Sequence, residues 1–400
     1  MLPDIGARFE ERTDCHEERI MSGDIMLKRA KRWVKLLLLC FCPAIVLKIK
    51  KRIKKYDELI VQEKNLPVKV HLLRRLWAWR RGFLSESTVL YSLNRDNVHR
   101  YLADAPYIFA HPINGMYSTL IDSKLSLYFT LGEFRKYLPI YYFLLVRNEI
   151  VPLDGPGRPM PRDSTDAILD LCREKGRLAM KAAAGALGEG FYAIAFDGGN
   201  FRLNGKPIEE TELRRKCQGL NDYIITEYVQ QHPYAESFFP QTTNTLRILT
   251  VRDYDAHEPF IACVRQRVGR SCSIPVDNWH MGGMAFAVDV ESGEIGRGAS
   301  FHRNSELIWH ERHPQTDVPI TGTVVPNWKE IRAKILEMAN RLPMVPYMGW
   351  DVVVTSEGFK VLEINSLPGL DIVQLHQPVL DDERLRRFYA LHIPSLYRSR

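Results

Sequence analysis

Residues 349–370 read GWDVVVTSEGFKVLEINSLPGL. Two apolar runs rich in β-branched residues flank Ser356, Glu357 and Gly358, a pattern that predicts a strand, a tight turn and a second strand. Asp351 opens the first strand, and Glu363 and Asn365 close the second. Side chains alternate across a strand, so Glu363 and Asn365 share a face, and folding at the turn brings Asp351 opposite them. Three oxygen-bearing side chains then converge at one end of the hairpin. Hard cations such as magnesium take carboxylate and amide oxygens together with nucleotide phosphates. Two such ions bridging the β- and γ-phosphates of ATP would neutralise charge on a phosphoryl group in transfer. A surface hairpin with polar ends would account for Asp351 alone. The spacing Glu363-x-Asn365 followed by Leu367-Pro368-Gly369 is much more specific.

This stretch resembles the metal-binding signature of ATP-grasp enzymes, especially the D-alanine–D-alanine ligase, glutathione synthetase and ribosomal-protein glutamate ligase branches. Their pattern ends in Glu-x-Asn, a small residue or two, and Pro-Gly. The finer resemblance is to the sugar-transfer-associated ATP-grasp family, and it covers about residues 110–376. It implies an α+β ATP-grasp fold in which two α+β subdomains grip ATP. It also implies two magnesium ions, with manganese as a substitute: Glu363 would touch both, and Asp351 and Asn365 would each hold one.

Upstream, Leu178-Ala179-Met180-Lys181 resembles the strand that carries the family's phosphate-binding lysine. The stretch AAAGALGEG follows, with Gly185, Gly188 and Gly190. An ammonium at a strand end can meet phosphates while backbone N–H groups of a mobile glycine loop fold over them; alone, the stretch reads equally as a flexible turn. Residues 223–229, YIITEYV, resemble the hinge strand, where Glu227 and the backbone of Tyr228 and Val229 would read the adenine edge. Asp122-Ser123-Lys124 resembles the start of the helix that carries the family's first ATP lysine, Lys124.

Asn244-Thr245-Leu246-Arg247 begins a strand, and Arg247 resembles the family arginine near the reacting carboxylate. Arg265 and Arg267 lie two apart on the next strand, hence on one face, and one of them matches the second family arginine. Guanidinium groups can hold a carboxylate bidentately and stabilise phosphoryl charge. Asp277-Asn278 and Gly282-Gly283 resemble a segment of the glutamate-ligase branch, so Asn278 is expected at substrate or phosphate. His280, His302 and His310 have no recognisable ligand partners and read as structural or loop residues.

Short apolar runs at 177–182, 191–196, 223–228, 245–251, 260–266, 284–290, 347–354 and 359–364 alternate with turns, which predicts mainly antiparallel strands. Helices are expected at 121–131, 133–145, 165–175 and 328–342, and the Pro/Gly cluster from Pro152 to Pro161 marks a loop. The organisation reads as a disordered then basic and apolar segment at 1–65, a small N-terminal region at 66–118 with Trp77 and Trp79 as packing residues, the ATP-grasp domain at 119–385 and a C-terminal tail at 386–400.

Net charge is +7, and the excess concentrates at 28–55 around the run LLLLCFCPAIVL at 36–47. That run is shorter than the roughly 20 residues of a spanning helix. It continues into lysines, where a signal peptide would show a cleavage site. Basic flanks around a short apolar run predict contact with an anionic membrane surface. Without interleaved aromatics to stack bases, no nucleic acid is expected. Seven cysteines without CxxC or zinc spacing indicate reduced thiols. The expected location is the cytoplasm, peripheral at the inner face of the cytoplasmic membrane.

The resemblance implies an ADP-forming carboxylate–amine ligase working through an acylphosphate. Its substrates would be small-molecule or glycan-linked carboxylates and amines, in cell-envelope polysaccharide biosynthesis. The alternatives are a phosphotransferase that makes no amide bond and an inactive membrane-associated nucleotide-binding module.

Overall fold

From Tyr141 onward, short apolar and alternating runs build two antiparallel sheets of seven strands each. The computed structural model describes residues 43–65, 69–147, 149–153, 164–183, 190–301 and 306–393. The chain divides into two units, Met1–Lys64 and Asn65–Arg400. What is described of the first is helix α1 (Pro43–Asn65), which exposes Ile53, Tyr56, Ile60 and Val61. The apolar run expected at the membrane lies largely outside the described residues, and no described helix is long and apolar enough to cross a membrane.

The first sheet holds β1 (Tyr141–Val146), β2 (Glu149–Pro152), β3 (Arg177–Ala182), β4 (Tyr192–Asp197), β5 (Asn200–Leu203), β6 (Lys206–Ile208) and β7 (Tyr223–Glu227), in the order β2-β1-β7-β3-β4-β5-β6. The second holds β8 (Leu246–Asp253), β9 (Glu258–Val268), β10 (Met284–Val288), β11 (Ile295–Phe301), β12 (Leu307–His310), β13 (Tyr347–Thr355) and β14 (Gly358–Asn365), in the order β12-β11-β10-β9-β8-β13-β14. The named helices of the second unit are α2 (Leu72–Trp79), α3 (Lys124–Thr130), α4 (Ser164–Lys175), α5 (Glu210–Gln218), α6 (Trp328–Asn340), α7 (Leu370–Val373) and α8 (Glu383–His392).

Each sheet buries one face under helices. On the first, Ile168, Leu171 and Cys172 of α4 and Leu213 and Cys217 of α5 pack on Leu178, Met180, Ile194 and Ile225. On the second, Ile331, Ile335 and Met338 of α6 repeat at helical spacing and meet Leu246, Ile248, Val264, Trp350 and Val352. The opposite face of the second sheet is split. One end is apolar and packs Leu249, Val251 and Tyr347 against Tyr107, Phe388 and Tyr389. The other end carries charge.

Several elements depart from expectation. Residues 133–145 do not form a helix: a short 3-10 turn (Gly132–Tyr137) precedes β1. The aromatic and branched run YYFLLV is sandwiched between β2 and β7, where a continuous apolar run suits a strand buried on both faces. The helix expected at 121–131 breaks at Ser123, which turns extended (φ −89°, ψ 121°) so that its hydroxyl accepts the Ser126 N–H and caps α3. Trp79 is exposed rather than packed inside. Residues 386–392 are not a tail but part of α8, because Leu385, Phe388 and Tyr389 bury against the second sheet. Residues 69–118 contribute to that sheet's core: Asn114 pairs with both backbone groups of Tyr347, at 2.7 and 3.1 Å.

The hairpin folds at Ser356–Glu357, and Gly358 (φ 135°) opens β14. Gly349 pairs with Asn365, and Pro368 lies directly over it: a Cβ at Gly349 would sit 2.7 Å from the Pro368 Cβ. Gly349→Ala is therefore expected to displace the turn after Asn365 and cost about 1–3 kcal/mol of stability, read as a lowered denaturation midpoint; an unchanged midpoint would show that the turn yields freely.

Candidate active site

The register of the second sheet lines up charge. Glu363 on β14 pairs with Asp351 on β13, Asp351 with Arg247 on β8, and Arg247 with Arg265 on β9. Paired residues of antiparallel neighbours share a face, so two carboxylates and two guanidiniums cross four adjacent strands in one row. The sequence already fixes Glu363 and Asn365 on one face, and the structure places Asp351 opposite Glu363 as expected.

Both oxygens of the buried Asp351 are engaged. Arg247 donates to Oδ1 and, at 3.1 Å, to Oδ2; Arg267 reaches Oδ2 at 3.2 Å. Arg267 also pairs with Asp277 at 3.0 Å and donates to the Thr245 hydroxyl at 2.7 Å. Asp277 in turn accepts from the Thr245 N–H and hydroxyl, at 2.8 and 2.6 Å. Arg265 shares the face but not the target. Its guanidinium is buried and donates to Ile372 O at 3.1 Å and Val373 O at 2.7 Å. It thus caps the end of α7 and does not join the Asp351 cluster, so of the two candidate arginines only Arg267 reaches it.

Two lysines close on the carboxylates. The Lys124 backbone N–H donates to Ala183 O at 3.2 Å, tying the start of α3 to the end of β3 that carries Lys181. Lys124 Nζ stands 3.3 Å from Glu363 Oε2. Asp122, just ahead, accepts from the Ser366 N–H and hydroxyl at 2.8 and 2.7 Å, which locks α3 to the turn beyond Asn365. Asn365 lies 3.5 Å from Glu363 Oε1 through its amide nitrogen. Burial pulls the Lys181 ammonium down to about 8, Glu363 opposes that fall and Lys124 adds to it. Glu363 is held well below the ordinary carboxylate range: burial works against this, and Lys124 leads the groups that overcome it. Burial pushes Asp351 up, against the pull of Arg247 and Arg267. Glu363 is thus the more firmly ionised of the two carboxylates, while Asp351 has Arg247 and Arg267 as its counter-ions.

The expected adenine end is assembled from both sheets. Glu227 closes β7, accepts from the Ile140 N–H at 3.1 Å and lies 4.0 Å from Lys360 Nζ. Lys360, on β14, also donates to Lys136 O and Leu138 O, each at 3.0 Å. The Arg177 guanidinium sits 3.6 Å above the Tyr228 ring, and Val229 is buried. Gly190 takes φ +74° beneath the Tyr223 hydroxyl, a position that only glycine fills easily. Gly185 and Gly188 lie outside the described residues, as does His302. Asn278 accepts from the His280 N–H at 2.9 Å and caps a 3-10 turn next to Asp277. His280 stands 3.7 Å from Asp371, and His310 bonds Ser300 at 2.8 Å.

For divalent cations the donor set fits in part. Glu363 and Asn365 offer hard oxygens on one face and remain partly open, whereas Asp351 is committed to two arginines. Among the described residues no group of three His, Cys, Asp or Glu side chains converges. Magnesium is commonly held by one or two carboxylates and the substrate's phosphates, without an all-protein cage, so the Glu363–Asn365 pair suits it and Asp351 joins only if its arginines let go. Asp122, Thr245, Asp277 and Lys360 were not singled out in the sequence for these roles. Their partners lie far along the chain, and no local pattern marks them.

Comparison with known proteins gives the site its context. No curated protein matches the sequence. Solved structures similar in fold include D-alanyl-alanine synthetase A from Vibrio cholerae O1 biovar eltor (12% identity, 69% of this chain and 66% of that one, TM-score 0.38). Others are an N5-carboxyaminoimidazole ribonucleotide synthetase in an ADP complex (13%, 63% and 46%, 0.33) and the D-alanine–D-alanine ligase of Coxiella burnetii (13%, 70% and 59%, 0.34). The chain therefore spans less than two thirds of each of these proteins. Residues 142–388, well over half of the chain, match the family described as sugar-transfer associated ATP-grasp. With that match and the two seven-stranded antiparallel sheets, the second of which carries the charged row, the chain belongs to the sugar-transfer associated ATP-grasp family.

Proposed function

We propose that the protein is an ATP-dependent carboxylate–amine ligase that releases ADP and works through an acylphosphate. The observation that carries this reading is the meeting of Lys124 and Lys181 with Glu363 at one end of the Arg247–Asp351–Arg267 cluster. Cations for phosphates and carboxylates stand together there, and the chemistry requires no side-chain nucleophile.

In the first step a substrate carboxylate oxygen bonds to the γ-phosphorus while the bond to the ADP oxygen breaks. In the second, an amine attacks the acyl carbon, phosphate leaves with the electron pair, and the amine proton passes to solvent. Lys124 and Lys181 orient the phosphates. Glu363 and Asn365 would hold a divalent cation, which when bound would neutralise phosphate charge. Arg247 and Arg267, drawn from Asp351 by the incoming anions, orient the carboxylate and stabilise charge on the transferring group. Positioning and electrostatics do most of this work. The family's sugar-transfer association supports a glycan-linked carboxylate or amine in envelope polysaccharide synthesis, at the inner face of the membrane through residues 28–55.

Lys181 gives the reading a pH signature. Phosphate binds its protonated form, so nucleotide affinity is expected to be flat below pH 8 and to weaken above it by up to about tenfold per pH unit. Calorimetry of metal-free ADP binding checks this. Lys181→Arg, which stays charged, should flatten the profile; a flat wild-type profile would remove Lys181 from the phosphates. The reaction itself is tested with hydroxylamine. Purified protein, ATP, magnesium and pooled cell carboxylates should yield ADP and a hydroxamate. ADP together with a phosphorylated product inert to hydroxylamine would overturn the ligase reading.

A further inference from the structure

Helix α2 turns its apolar stripe away from its own domain. Arg74 faces the body of the protein and donates to Thr88 O at 3.0 Å and Leu93 O at 3.4 Å, and Ala78 is fully buried. Leu72, Leu76 and Trp79 recur at i, i+4 and i+7, one stripe of the helix, with Leu73 at its edge. They are 61%, 43%, 42% and 70% exposed, in the order Leu72, Leu76, Trp79, Leu73. A lone exposed leucine is ordinary, whereas a contiguous apolar patch marks a contact surface.

Charge names the partner. From residue 66 to 83 the chain carries Lys69, His71, Arg74, Arg75, Arg80 and Arg81 and no aspartate or glutamate. The Arg75 guanidinium lies 5.2 Å from the Trp79 ring centroid, and that of Arg81 lies 4.5 Å from Trp77. Indoles with cations at their margins are amphipathic groups suited to the level of lipid headgroups. A bilayer takes both halves of such a helix: the acyl boundary accepts the stripe, and anionic headgroups meet the arginines. Taken by itself, α1 shows the same character, with exposed Ile53, Tyr56 and Ile60 among lysines.

The geometry points to α2 as a membrane-docking helix, its Leu72, Leu73, Leu76 and Trp79 entering the interface of an anionic bilayer while Arg75, Arg80 and Arg81 meet the headgroups. This surface belongs to the folded second unit and is separate from the basic segment at 28–55. It does not depend on the ligase chemistry.

The test is co-sedimentation of the full chain with phosphatidylcholine vesicles, with and without phosphatidylserine. Wild type is expected to bind the anionic vesicles. Leu72→Asp/Leu73→Asp should weaken that binding on the order of a hundredfold, and Arg75→Glu/Arg80→Glu by about thirtyfold or more with reduced salt sensitivity. In Leu72→Asp/Leu73→Asp, ATP turnover without vesicles and the melting temperature should stay at wild-type values, since both side chains are exposed. Equal vesicle binding by Leu72→Asp/Leu73→Asp and wild type overturns the proposal and assigns any attachment to residues 28–55. Wild-type protein that ignores vesicles also overturns it. If light scattering then shows a dimer that the leucine variant breaks, a second copy covers the stripe.

Discussion

Asp351→Ala is expected to cost about 3–5 kcal/mol of folding stability, because it leaves buried guanidinium charge without its counter-ion. Arg247 places two nitrogens on that carboxylate and Arg267 a third. Arg267 keeps Asp277 as a second carboxylate, so the penalty falls chiefly on Arg247, which is itself buried. Asp351→Asn keeps the shape and an acceptor oxygen and should lose less. Urea unfolding measures both. Equal stability of Asp351→Ala and wild type would mean that water reaches Arg247 and that the cluster is not sealed.

Glu363→Gln separates from this in sign and kind. Glu363 is partly open while its partner Lys124, at 3.3 Å, is largely buried; Gln keeps the shape and an acceptor oxygen beside that ammonium, so the fold should lose less than in Asp351→Ala. Removing the ionised carboxylate that faces the phosphates is expected to lower ADP release by roughly 10³-fold, the scale of losing one preorganised electrostatic contact in a catalytic site. Steady-state ADP release beside a thermal melt reads both. A variant with normal turnover would remove Glu363 from the chemistry.

The contrast explains what could be read from residues alone. The hairpin was legible because alternation fixes which side chains share a face and a turn at Ser356–Gly358 sets Asp351 opposite the Glu363–Asn365 end; the chain reaches that pairing through a turn at Ser356–Glu357 and a bulge between Asp351 and Val352. Lys181 was legible as a strand residue ahead of a glycine-rich stretch. Periodicity gives a face, however, and not a reach. Arg265 and Arg267 do share a face, yet one caps α7 and the other joins Asp351. The partner of Asp351 lies 104 residues away and that of Asp122 lies 244 away, distances across which no local pattern carries information. The helix expected at 133–145 failed because its apolar end, a run without period, fits a buried strand equally well. At α2, Trp77 and Trp79 read as packing residues, but composition cannot say which way an apolar stripe turns; Arg74 docks on Thr88 and Leu93 and leaves Trp79 exposed.

The central claim is that Glu363, with Asn365, holds divalent cation against a nucleotide whose phosphates Lys124 and Lys181 orient. Calorimetric titration of ADP with and without manganese, in wild type and in Glu363→Gln, tests it most directly. Manganese should tighten ADP binding to wild type by about tenfold or more, an increment of about 1.4 kcal/mol, and should add nothing in Glu363→Gln, whose metal-free affinity does not fall. Equal tightening by manganese in both proteins would contradict the account.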